Sequence, residues 1–125
     1  MRTLGQIEAE ISEAIILFEK EYMGRGPEET RTHVINDMVL VRLRGVLTPA
    51  EKKLAEADED GTGRTLLKQV RMELIERGRL LLETVMQDIT GRGVTSMHTD
   101  ISTVTGERII LFVMDGAVLA GEGVS

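Results

Sequence analysis

Ile7, Ile11, Ile15, Phe18 and Tyr22 recur at spacings of three or four, while Glu8, Glu10, Glu13, Glu19 and Glu21 fall mostly elsewhere around the same cylinder. This period predicts an amphipathic helix over residues 3–23. Its polar face is acidic, the opposite of a membrane-surface helix. Gly24-Arg25-Gly26-Pro27 ends it, because glycine accepts the left-handed cap and proline cannot continue the hydrogen-bond ladder. The period then changes to that of strands. Residues 31–35 and 38–44 are β-branched or aliphatic runs joined by Asn36-Asp37, a pair that tolerates positive φ, and together they predict a tight antiparallel hairpin.

Thr48-Pro49-Ala50-Glu51 carries a helix start: Thr48 caps free amides, Pro49 suits the first turn and Glu51 reaches back. The helix it opens is short, because turn chemistry from Asp58 to Gly63 interrupts it. Helical spacing resumes from Arg64 to about Ile89, with Leu67, Val70, Leu74, Leu81, Val85 and Ile89 on the predicted stripe and Gly78 as a point of close packing. Gly91-Arg92-Gly93 ends this second long helix as Gly24-Arg25-Gly26 ended the first. Two strand-like runs follow, residues 94–101 and 107–114, joined by Ser102 to Gly106.

A helix followed by two strands is therefore used twice. The expected fold class is α+β: a four-stranded antiparallel sheet from two hairpins, element order α-β-β-α-α-β-β, with the two long helices on one face. One domain over residues 1–114 is expected, with residues 115–125 as a flexible Gly-rich tail. The last strand is apolar on both sides, with Ile109, Leu111 and Val113 pointing one way and Ile110, Phe112 and Met114 the other. A strand buried on both faces in so small a domain needs a second cover. A homodimer packed through this strand is the expectation.

Composition narrows the chemistry. The 125 residues contain no cysteine, which excludes disulfides, thiolate metal sites and cysteine nucleophiles. With two Phe and one Tyr there are few ring faces for stacking bases or flat cofactors. Acidic side chains outnumber basic ones 21 to 15, for a formal charge of −6, which repels phosphate backbones and anionic lipid; Arg42 with Arg44 is the nearest thing to a basic patch. No nucleic acid, no cofactor and no direct membrane insertion are expected. No window approaches the ~20 apolar residues of a membrane span, and the N-terminal residues lack a signal-peptide core. A cytoplasmic protein is the expectation.

Alternation along residues 94–101 puts Ser96, His98 and Asp100 on one face, where an imidazole and a carboxylate can share a proton or a cation; His33 on the other hairpin would be a third ligand only if the hairpins met in register. Arg42 and Arg44 also share a strand face. Ion pairing with Asp100 or Glu107 is their ordinary role, and holding a carboxylate, bicarbonate or phosphate near His98 the more specific one. Arg42, Arg44, His98 and Asp100 thus form the candidate polar cluster. The segment from Asp58 to Gly63 fails as a calcium loop, since Leu67 would stand where the bidentate Glu is required, and no Gly-Lys-Ser/Thr follows to make a phosphate loop. No catalytic motif anchors an enzyme reading.

Several longer stretches carry a resemblance: Ile7-Glu8-Ala9-Glu10-Ile11-Ser12, Tyr22-Met23-Gly24-Arg25-Gly26-Pro27, Asp37 through Gly45-Val46-Leu47-Thr48-Pro49-Ala50-Glu51, His98-Thr99-Asp100-Ile101-Ser102 and Thr105-Gly106-Glu107-Arg108. In this order, over roughly residues 5–114, the chain resembles the MpsC-like family, named for a component of a Na+-translocating, membrane-potential-generating system. The resemblance supplies no catalytic or binding residues. It implies a soluble accessory or regulatory role beside membrane ion or inorganic-carbon transport, with an integral membrane protein as partner, because a chain without a span cannot itself carry Na+ across a bilayer. The alternative is a small-anion or metal-binding domain, or an enzyme, built on the His/Asp/Arg cluster.

Overall fold

The structure, a computed structural model, describes residues 2–56 and 60–120. Helix α1 (Leu4–Met23) begins at a capping box in which the Thr3 hydroxyl accepts from Gln6 N and the Gln6 side chain accepts from Thr3 N. It ends at Gly24, whose φ of 80° is the left-handed cap. Strands β1 (Glu29–Ile35) and β2 (Met38–Arg44) follow as the expected hairpin, with Asn36 in the turn at φ 58°. Helix α2 (Pro49–Glu56) starts at a second capping box, in which Glu51 N donates to the Thr48 hydroxyl and Thr48 N donates to the Glu51 carboxylate. Asp58 and Glu59, within the expected turn, lie outside the described residues.

The second long helix departs from expectation in two ways. It is two helices, α3 (Thr62–Arg77) and α4 (Arg79–Thr90), which meet at Gly78. A Cβ on Gly78 would lie 2.6 Å from Phe18 Cζ, so the break allows α1 to pack directly against the backbone of the α3–α4 junction. The apolar stripe is also displaced in phase. Leu67, Arg71, Ile75, Leu82, Met86 and Thr90 are buried, whereas Val70 and Leu81 are about half exposed. Leucines on both sides of the helix made the wrong phase look equally apolar.

Strands β3 (Val94–Ile101) and β4 (Arg108–Met114) complete one antiparallel sheet in the order β1-β2-β4-β3. The hairpins therefore join through β2 and β4, leaving β1 and β3 as the edges. Among the described residues, helices cover one face only. Beneath them lie Val39, Val41 and Leu43 from β2, Ile110, Phe112 and Met114 from β4, and Met97 and Ile101 from β3, packed on Ile7, Ile11, Ile15 and Phe18 of α1 and Leu82 and Met86 of α4. The segment after Met114, expected to be a flexible tail, is tied down over residues 115–118. Asp115 N donates to Gly93 O, Val118 N donates to Asn36 O, and the Val118 side chain is buried.

Candidate functional site

Register places every residue of the candidate polar cluster on the uncovered sheet face. Cross-strand partners make three rows there: Arg31, Arg42, Ile109, Asp100; then His33, Leu40, Leu111, His98; then Ile35, Met38, Val113, Ser96. The two histidines share a row but stand on opposite edge strands, three strand spacings or about 14 Å apart. His33 therefore does not join His98 as a ligand. Asp100 lies two spacings, about 10 Å, from Arg42, with Ile109 between them.

What the structure does bring together is the two arginines. Arg42 donates to Glu107 at 2.6 Å, and Arg44 approaches Glu107 at 4.0 Å and Glu29 at 3.8 Å. With Lys52 and Glu28 they line a surface hollow of about 590 Å³ at one end of the sheet. Asp100 turns instead to Lys68 of α3 at 3.0 Å, and this hydrogen bond, with one from Ile101 N, holds its carboxyl below the ordinary range. Among the described residues no group of three or more His, Asp or Glu side chains could hold a metal ion.

Between these polar edges the open face is apolar. Ile109, Leu111 and Val113 lie on it with Leu40 and Met38, half-buried by their neighbours alone, and Ile35 stands exposed at the edge. The other three residues expected at a dimer face are corrected here: Ile110, Phe112 and Met114 are consumed by the chain's own core beneath the helices. Alternation sends them there, since residues i and i+1 of a strand cannot share a face.

A second polar constellation, not expected from the sequence, lies inside the core. Arg71 donates through Nε and Nη2 to both oxygens of Glu51, at 2.9 and 2.6 Å, and again through Nη2 to Val46 O at 2.9 Å. Arg108 Nε lies 3.8 Å from Glu19 Oε1, and both side chains are almost wholly buried. Burial pushes the Glu19 carboxyl above its ordinary range, against the pull of Arg108 and then Arg71. Burial pushes Glu51 the same way, but the Arg71 and Thr48 hydrogen bonds outweigh it and the net shift is downward. Each buried charge occupies an apolar register: Glu19 continues the series Ile7, Ile11, Ile15, Arg71 sits midway between Leu67 and Ile75, and Arg108 alternates with Ile110, Phe112 and Met114. A charged residue at a core position was the available signal.

The family model described as "Na+-translocating membrane potential-generating system (MpsC)" matches residues 3–116, which span every described helix and strand. The chain belongs to the MpsC family. This MpsC-family chain is also 43% identical over 75 residues to a Bacillus subtilis (strain 168) protein named "Uncharacterized protein YbcI". That match covers 60% of the chain and 58% of the relative, so it spans little more than half of the curated protein. No solved structure gives a significant match. No helix among the described residues is long and apolar enough to cross a membrane.

Proposed function

We propose that this chain is a protein-interaction module that pairs with a second copy through its open sheet face and serves, as that dimer, as an accessory or regulatory part of a membrane ion-transport system. The observation that carries the reading is the apolar strip of Leu40, Ile109, Leu111 and Val113, flanked by polar edges and covered by no element among the described residues. Strips of this kind on a sheet face mark contact surfaces. A second copy suits it because the strip is apolar along its centre and matches its own reverse. With a two-fold axis along the strands, β1 of one copy lies over β3 of the other, so the first row meets its own reverse. Leu40 then faces the partner's Leu111, and Arg42 faces the partner's Ile109.

The link to transport rests on the family's name, and the lack of a spanning helix among the described residues makes an integral membrane partner the natural counterpart. Tagged chain extracted in mild detergent from membranes of its native host is expected to bring an integral membrane protein with it. Recovery of the chain with itself alone would count against the accessory role while leaving the dimer standing.

A further inference from the structure

Between α3 and the β3–β4 hairpin lies a cavity of about 20 Å³, separate from the open sheet face. Its walls include Arg71, Arg108, Thr99, Lys68 and Asp100. Four buried polar atoms of these wall residues have no hydrogen-bond partner among the described residues: Arg71 Nη1, Arg108 Nη1, Thr99 Oγ1, and Arg108 Nε, which faces Glu19 Oε1 at 3.8 Å, beyond hydrogen-bond reach. Arg71 and Arg108 are 1% and 2% exposed, so these donors are turned inward. Leaving a buried guanidinium nitrogen unpaired is costly, and native interiors avoid it.

The donors decide what fits. A guanidinium donates and cannot accept, so three of the four groups offer only N–H, and the Thr99 hydroxyl can donate as well. The one carboxylate on the wall, Asp100, is already engaged by Lys68 and Ile101 N. A water molecule could donate to the Thr99 hydroxyl but would leave its other hydrogen among donors, whereas an anion accepts from all of them. On the wall itself Lys68, Arg71 and Arg108 stand against Asp100 alone, while Glu51 is taken up by Arg71 and Glu19, 3.8 Å from Arg108 Nε, lies off the wall.

We propose that this cavity is a binding site for one small inorganic monoanion of halide size, held by Arg71, Arg108 and Thr99. The volume suits a single occupant of water or halide size. The site fixes α3 against the β3–β4 hairpin through the charges it bridges.

The test uses the full chain. Thermal unfolding is followed while chloride or bromide replaces gluconate at constant ionic strength and constant sodium, and the midpoint is expected to rise with halide and saturate. Thr99→Val, which keeps the side chain's shape and leaves both arginines in place, is expected to shift the half-saturating halide concentration upward about tenfold, the loss of one hydrogen bond to a charged group. Crystals grown in bromide should show an anomalous peak within reach of Arg71 Nη1 and Arg108 Nη1. Halide and gluconate acting alike, a rise that never saturates, or a water in the cavity with no anomalous signal would each overturn the proposal.

Discussion

Glu51 and Glu19 belong to the same buried network, yet their carboxyls are pushed in opposite directions, and the pH dependence of stability should separate them. Glu51 titrates below its ordinary value of about 4.5, so its contribution is present above that pH and lost as pH falls through the lowered value. Glu19, facing Arg108, Arg71 and Glu51, titrates above that value. Its contribution is complete below about 4.5 and lost as pH rises through the raised value. In urea unfolding, Glu51→Gln is expected to cost on the order of 3 kcal/mol at neutral pH, with the deficit closing in acid. Glu19→Gln should instead gain on the parent protein as pH rises from about 4.5 to 7. A Glu19→Gln difference that is flat or narrows over that range would contradict the network as described. The capping role of Glu51 was legible, because Thr48-Pro49-Ala50-Glu51 is a local signal; its grip on Arg71 was not, because twenty residues and a turn separate the two.

The helices show the same division between local and tertiary information. Caps, glycine stops and the hairpin turn all act within a few residues, and apart from the division of the second long helix at Gly78 the elements formed close to where their patterns placed them. The phase of α3 and α4 depended on which side met the sheet, and leucines on both sides left that choice to packing. Gly78 is where packing decided. Alanine there would gain helix propensity of about 1 kcal/mol, yet its Cβ would press into the Phe18 ring, and overpacking of this kind costs roughly 1–3 kcal/mol. Gly78→Ala is therefore expected to lower the unfolding midpoint, and adding Phe18→Leu should recover part of the loss. A more stable Gly78→Ala protein would show that α1 is not held against this junction.

The assembled molecule is one sheet with helices on one side only, and that asymmetry was visible in the doubly apolar run from Ile109 to Met114. One half of the run serves the chain's own core and the other half faces outward. Pairing of Arg42 with Glu107 was the ordinary role expected of it, but strand order, absent from any local pattern, sets the histidines of one row at opposite edges and Asp100 two strands from Arg42. The outward strip of Leu40, Ile109, Leu111 and Val113 carries the functional reading, so its occupancy is what must be measured. Multi-angle light scattering of the purified chain at micromolar concentration should give twice the chain mass, and Leu111→Asp, folded by circular dichroism, should give the monomer mass. A monomeric parent protein, or a Leu111→Asp variant that stays dimeric, would contradict the assignment of this face.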